Sequence, residues 1–335
     1  MERILGPEVI GQLALSFGYG LTQSEMMTKM NCPRKWFLRY VLLKKKQGSF
    51  SWPLLFGDAV HRMLERYYRG ADVDAEVPDF RFEEDVLLRP DQTEEHEYWR
   101  GLARLMVLYH NKFWRRFDDG MEILANEEEV SYEYRGFTLR GKIDMCIRPT
   151  PKDGIFPMDH KTSYIFDESV FAGWSFRFQF LYYAWLWWKV KGRYPAGMYV
   201  NAIRKPGERR SKTRKETVQD FLDRIEANIK GDPWSYFKRE RLPFDRTILQ
   251  RFEKFTLDPI LMQYEMLQWI INCSPEEVDD PSTWGPLDSF LLSMNTDHCH
   301  AWNRPCEFLD LCSHNFEDHA GEYISMAVKH PELSK

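Results

Sequence analysis

Apolar residues along the chain switch between a helical period and a strand period, and the switches mark out the elements. From Phe56 to Tyr68, Val60, Met63, Leu64 and Tyr67 recur at helical spacing, which predicts an amphipathic helix. The same period carries Leu102, Leu105, Met106, Tyr109 and Phe113 through Tyr98 to Phe117. Between Ile123 and Tyr134 the period shortens to that of a strand, and Phe137 to Ile147 mixes β-branched and apolar residues. A turn-rich segment, Pro149 to Gly154, separates that run from a second one, Ile155 to Met158, so the pair reads as a β-hairpin. Phe176 to Trp188 is aromatic almost throughout and predicts a buried helix, and Met198 to Ile203 predicts the next strand. Val218 to Ile271 reads as mainly helical, through Phe221, Ile225, Ile229, Ile248, Phe252, Phe255, Leu261 and Met262. Near the front, Thr22 and Ser24 are candidate N-caps with Glu25 close behind, and Pro33 suits the first turn of a helix running to about Leu43. Met1 to Leu21 gives no clear pattern, Gly70 to Gln92 reads as an acidic, turn-rich surface insertion, and no internal repeat is evident.

The predicted hairpin carries the chemistry. Strand side chains alternate, so Asp159 and Lys161 point one way and His160 the other. Asp144, on the adjoining strand, reaches the same pocket. Two acids and a lysine there can bind a divalent cation and hold a phosphate, and oxygen ligands suit magnesium or manganese. An Asp-x-Lys on its own is more often a solvated strand end. His61, beside an apolar helical stripe, is more often a boundary residue than a ligand, and Gly57 permits close approach of a neighbour. Glu127-Glu128-Glu129 reads first as a solvated edge. If one of them faces a metal, Glu129 is favoured, because Glu129, Ser131 and Glu133 share a face.

Composition narrows the partners. The 335 residues are 43% hydrophobic and 15% aromatic, enough for a substantial core, while the net charge of −5 requires any nucleic-acid surface to be local. Arg204 to Lys215 is the most basic segment, a solvated loop or a clamp on a phosphate backbone. No apolar run is long enough to span a bilayer and no secretory leader is apparent, so a cytoplasmic chain is expected. Cys32, Cys299, Cys306 and Cys312 are enough for a [4Fe–4S] cluster or a structural zinc, with His298, His300 and His314 keeping zinc as the lesser alternative. Cys146 and Cys273 are expected in the core.

Taken in order, Cys32-Pro33, Gly57-x-x-x-His61, Gly141-Lys142-Ile143-Asp144, Asp159-His160-Lys161, Gln179-x-x-x-Tyr183 and the last three cysteines resemble the RecB-like PD-(D/E)xK nuclease superfamily. The cysteine arrangement is similar to the iron–sulfur branch, of AddB and CRISPR-adaptation-exonuclease type, although Cys299 to Cys306 is longer than its commonest spacing. The resemblance implies an α/β fold, with a small mixed sheet flanked by helices and helical additions at both ends closed by the four-cysteine site. It implies one nuclease domain over 1–335, with N-terminal helices in 22–70, the catalytic core in 121–204, a basic loop and helices in 205–295, and the cysteine cluster in 296–316. It implies Mg²⁺ or Mn²⁺ held by His61, Asp144, Asp159 and the His160 backbone carbonyl, with Lys161 catalytic. DNA, single-stranded or as duplex ends, would meet Gln179, Tyr183, Arg204, Lys205, Arg209 and Arg210. The implied activity is a deoxyribonuclease, an exonuclease by expectation, in recombination, repair or phage DNA processing. The iron–sulfur cluster would be structural. No Gly-x-x-x-x-Gly-Lys-Ser/Thr loop is present, so unwinding would fall to a helicase or recombination partner. A prokaryotic or phage source suits the layout. The competing readings are a non-catalytic DNA-binding subunit that kept the fold, and an iron–sulfur redox protein, against which stands the lack of any flavin or nicotinamide motif.

Overall fold

The computed structural model describes residues 7–48, 50–71, 92–211, 213, 215–272, 293–301, 304–314, 316–318, 320–330 and 333. The acidic insertion from 72 to 91 and Cys273 lie outside them. In chain order the elements are α1 (Pro7–Gly18), β1 (Leu21–Thr22), α2 (Gln23–Asn31), α3 (Pro33–Trp36, continued as a π-helical turn over Phe37–Val41), β2 (Lys44–Lys46), α4 (Trp52–Tyr68) and α5 (Thr93–Trp114). There follow β3 (Glu122–Tyr134), β4 (Phe137–Arg148), β5 (Phe156–Ser163), α6 (Glu168–Trp174), α7 (Phe178–Lys191), β6 (Met198–Arg204), α8 (Val218–Gly231) and β7 (Phe237–Leu242). The chain then runs through α9 (Arg246–Phe252), α10 (Asp258–Ile271), α11 (Leu309–Ser313) and β8 (Tyr323–Ser325). No helix among the described residues is long and apolar enough to cross a membrane.

Two compact units divide the chain: residues 48–129 with 142–246, and residues 1–47 with 130–141 and 247–335. In the first, the end of β4 pairs antiparallel with β5 (Met145↔Met158), β5 pairs parallel with β6 (Asp159↔Val200), and β6 pairs antiparallel with β7 (Asn201↔Arg239). The parallel step needs a crossover, which α6 and α7 supply. Helices α4, α5 and α8 bury Phe56, Val60, Leu64, Leu102, Met106, Phe221 and Ile225 together with Ile203 and Phe237 of the sheet. Strand β7 falls inside a stretch that the sequence predicts as helical. Its Phe-Lys-Arg-Glu-Arg-Leu pattern buries only the two ends, as a charged last strand does.

In the second unit, β1 pairs parallel with the start of β4 (Leu21↔Leu139), and β2 pairs antiparallel with β8. The β3–β4 turn is Arg135-Gly136 at φ 53° and 79°, the left-handed pair that matches strand twist in a two-residue hairpin. Thr22 caps α2 by accepting from the Glu25 backbone N–H at 3.3 Å, as predicted. The weakly patterned lead-in forms α1. A buried charge cluster ties this unit's two chain ends. Glu25, fully buried, receives Lys329 Nζ at 2.9 Å, His330 Nε2 at 3.2 Å and the Trp36 indole N–H at 3.0 Å.

Candidate active site

The catalytic candidates converge in the unit formed by residues 48–129 and 142–246. Strand β4 alternates buried and half-buried positions, which puts Lys142 and Asp144 on the face opposite Ile143 and Met145. Asp144 Oδ2 accepts the His160 backbone N–H at 2.7 Å and lies 3.3 Å from His61 Nδ1. Helix α4 approaches β5 closely enough to deliver that imidazole because Gly57 has no side chain; a Cβ there would sit 3.3 Å from Thr162 Oγ1. Glu127 is the third member: one ligand atom each from His61, Glu127 and Asp144 lie within 4.8 Å of one another.

Glu127 corrects the expectation for Glu129, which is exposed. Glu127 has φ 55°, a left-handed residue in the middle of β3, and this breaks the strict alternation on which the Glu129 reading relied. Such a conformation costs a non-glycine residue roughly 1–3 kcal/mol and persists where the surroundings impose it. Here Lys142 Nζ holds Glu127 Oε2 at 2.7 Å.

Asp159 is buried and held from two sides. Lys161 Nζ lies 2.8 Å from Oδ2, and the Gln179 amide donates to Oδ1 at 3.2 Å. Gln179 therefore touches the site, whereas Tyr183, one turn along α7, is half-buried against Tyr182. The charges respond to crowding. Burial alone would lower His61, but the Asp144 carboxylate beside it outweighs that and holds the imidazole up to about 9. Burial would lift Asp144, yet His61 brings it below the usual carboxylate range. Burial pushes Asp159 upward, opposed by Lys161 and reinforced by Asp144, and burial also raises Glu127. One imidazole nitrogen and two carboxylates form a donor set that fits a divalent cation of the manganese or magnesium kind.

Asp144, Asp159, Lys161, His61 and Glu127 thus lie together on and beside a mixed sheet. The sequence profile described as the PD-(D/E)XK nuclease superfamily matches residues 20–247. The chain belongs to that superfamily. Among solved structures it is similar to a protein from Eubacterium rectale named as a "putative exonuclease", at 11% identity and a TM-score of 0.38, covering 74% of this chain and 93% of that one. No curated protein matches the chain in sequence.

In this PD-(D/E)XK nuclease a polar network that sequence reasoning missed lies behind β5. The His160 ring is buried, stacks on Tyr68 with centroids 6.0 Å apart, and bonds Asn201 Nδ2 through Nδ1 at 2.8 Å. Asn201 Oδ1 also meets His110 Nε2 at 3.0 Å and Arg239 Nε at 3.2 Å, and Arg239 Nη2 reaches Tyr68 at 2.8 Å and Asp118 Oδ2 at 3.0 Å. Burial lowers His160 to about 3 and His110 to about 4, so both rings are neutral bonding partners. The available signal was Asn201, an amide in the middle of an apolar strand.

The basic segment of the nuclease differs from the expected clamp in two places. Lys205 is only 7% exposed, with Nζ turned over the Phe56 and Tyr164 rings at 5.9 and 4.8 Å. Arg210 is turned onto α5 by an ion pair with Glu94. Arg204 lies over the Tyr236 ring at the end of β6, and Arg209 is exposed.

The four-cysteine site expected from the sequence is not formed among the described residues: its cysteines are dispersed in the other unit. Cys32 separates α2 from α3, Cys299 and Cys306 are joined by a backbone bond of 2.7 Å, and Cys312 lies in α11. Burial pushes the Cys312 thiol up to about 11, against the Arg34 guanidinium, with Cys306, Cys32 and Cys299 adding to the rise. Among the described residues no three of these sulfurs lie within 4.8 Å of one another. Cys146 is buried in β4, as expected of a core residue.

Proposed function

We propose that this nuclease is a metal-dependent deoxyribonuclease acting on strand ends, in DNA recombination, repair or phage DNA processing. The observation that carries the reading is the juxtaposition of the His61–Glu127–Asp144 donor set with the Asp159–Lys161 pair at 2.8 Å. His61, Asp144 and Glu127 would hold the cation, with Asp159 and the His160 carbonyl beside them. A bound Mg²⁺ or Mn²⁺ lowers the pKa of its water and offsets charge on the scissile phosphate. Lys161 orients the attacking water and meets the charge that develops on the phosphoryl oxygens. Gln179 fixes the Asp159 carboxylate from behind, so that Lys161 is held in one place. The test is digestion of end-labelled single-stranded and duplex DNA in Mn²⁺ and in Mg²⁺. Ladders that grow from one labelled end support the reading, and intact DNA in both metals overturns it.

His61 must shed its proton before its nitrogen can bind a cation. With the imidazole held up to about 9, protons compete with metal at neutral pH. Calorimetric Mn²⁺ affinity is expected to rise nearly tenfold per pH unit between about 6.5 and 8.5, with roughly one proton released per ion. His61→Gln should abolish both effects, and a flat profile in the unmodified protein would remove His61 from the shell. In the metal-free fold the same shift is stabilising in full below about 6.5 and is lost as pH rises through about 9.

We further propose that Cys32, Cys299, Cys306 and Cys312 hold a [4Fe–4S] cluster with a structural role. What supports the reading is that Cys306, Cys32 and Cys299 all act electrostatically on Cys312, and four thiolates are the usual ligand set of such a cluster. Anaerobically purified protein is expected to be brown, with broad absorption near ~400 nm, and Cys32→Ser or Cys306→Ser should lose the colour together with thermal stability. Stoichiometric zinc in a colourless preparation would overturn the choice of iron.

A further inference from the structure

Three residues stand abreast across the sheet behind the candidate site. His160 of β5 is in register with Asn201 of β6, and Asn201 with Arg239 of β7. Partnered residues on neighbouring strands send their side chains to one face, about 5 Å apart. Here that is the face opposite Asp159 and Lys161. All three are withdrawn from water: Asn201 is fully buried, His160 is 2% exposed and the Arg239 side chain 10%. A buried polar row costs stability unless every member is paired. Apolar residues would fill the same space without that condition.

The row has a direction. Arginine carries donors only, so the Asn201 atom 3.2 Å from Arg239 Nε is the carbonyl oxygen. Arg239 is itself held on every side. Asp118 pairs with Nη1 and, at 3.0 Å, with Nη2; the Tyr68 hydroxyl accepts from Nη2 at 2.8 Å; and the guanidinium lies 4.3 Å from the Trp114 ring centroid. With Asn201 Oδ1 turned to Arg239, Asn201 Nδ2 donates to His160 Nδ1 at 2.8 Å. That ring nitrogen must then be the bare one, and the proton of the imidazole sits on Nε2. The orientation set by Asp118 thus passes through Arg239 and Asn201 to a single tautomer of His160.

At its other end the row meets the candidate metal ligands. The His160 backbone N–H donates to Asp144 Oδ2 at 2.7 Å, and the His160 ring stands edge-on to the His61 ring with centroids 5.8 Å apart. His160 therefore touches two members of the His61–Glu127–Asp144 set. We propose that Asn201 and Arg239 are positioning residues of the metal site: by locking the His160 side chain from the far face of the sheet, they hold the peptide that orients Asp144 and the ring that backs His61. This assignment rests on the metal site of the nuclease reading above and adds to it residues that touch neither metal nor DNA. Groups that orient metal ligands from behind are worth about 10–100-fold in metal affinity.

Two measurements test it, the first without metal. In ¹⁵N-labelled protein, couplings between the ring nitrogens and the carbon-bound ring protons show which nitrogen carries the proton, and the His160 signals are those lost in His160→Gln. The proton is expected on Nε2. Asn201→Asp keeps the shape and the bond from Arg239 but turns an oxygen to His160 Nδ1, so the proton should move to Nδ1. The second measurement is Mn²⁺ affinity by calorimetry, at a temperature where urea unfolding shows each protein folded. Asn201→Leu should bind Mn²⁺ at least about tenfold more weakly, whereas Asn201→Asp, which keeps a bond to His160, should stay within about threefold of the parent. Arg239→Lys keeps the pair with Asp118 but loses the Nε donor; the same loss is expected of it, and it replaces Asn201→Leu if that variant does not fold. Parental Mn²⁺ affinity in these variants, whatever their stability, would overturn the proposal, as would a proton on Nδ1 in the unmodified protein. An unmodified protein that takes up no Mn²⁺ would overturn the metal reading itself, and the proposal with it.

Discussion

Replacing Lys161 or Asp159 with alanine is expected to lower DNA cleavage in Mn²⁺ by at least about 10²–10³-fold, with DNA affinity changed less than roughly threefold. Lys161 reaches Asp159 at 2.8 Å, and Gln179 fixes the same carboxylate at 3.2 Å. On the proposed assignment, removing the lysine takes away the cation that would meet the reacting phosphate. Removing the aspartate takes away what aims it. Because the two act as one unit, the double variant should be little worse than either single one. Gel-based rates on end-labelled DNA, paired with anisotropy, separate the loss of chemistry from the loss of binding. Full activity in either variant would end the assignment.

The largest effect on stability is expected at Glu25. Its carboxylate is fully buried and receives Lys329, His330 and the Trp36 indole. Taking away one partner strands the others in a low-dielectric interior. Lys329→Met should therefore cost about 3–5 kcal/mol in urea unfolding, as for other broken buried pairs. Burial lowers the Lys329 amine while Glu25 opposes the shift, so the pair survives on mutual attraction. Replacing Glu25 and Lys329 together by apolar residues should recover much of the loss, because desolvated charges give back little net stability when well paired. A Lys329→Met variant within about 0.5 kcal/mol of the parent would show that the cluster is wet in solution.

Much of the site could be read from residue order, since hairpin alternation alone puts Asp159 with Lys161 and brings Asp144 alongside. His61 was legible only through the resemblance carried by Gly57-x-x-x-His61, since a histidine beside an apolar helical stripe reads by itself as a boundary residue. What alternation could not deliver was Glu127. A left-handed residue inside a strand leaves no mark in the hydrophobic pattern, and glutamate is not a residue that announces positive φ. Strand β7 was hidden for a related reason: its middle four residues are charged or half-buried, so no apolar period rises above that of the flanking helices. The fate of the basic segment was equally invisible. Charge density marks Arg204 to Lys215, but only packing decides that Lys205 turns inward and Arg210 folds back onto α5.

The Glu25–Lys329 contact also sets a timetable. The two residues are 304 positions apart, so at ~5–20 residues per second a ribosome needs about 15–60 s to supply the lysine after it has supplied the glutamate. The unit that carries the candidate site ends at residue 246 and has its whole sequence available well before then. The unit that holds the cysteines must keep its first helices waiting, with the Glu25 carboxylate still in water, until Lys329 has left the exit tunnel.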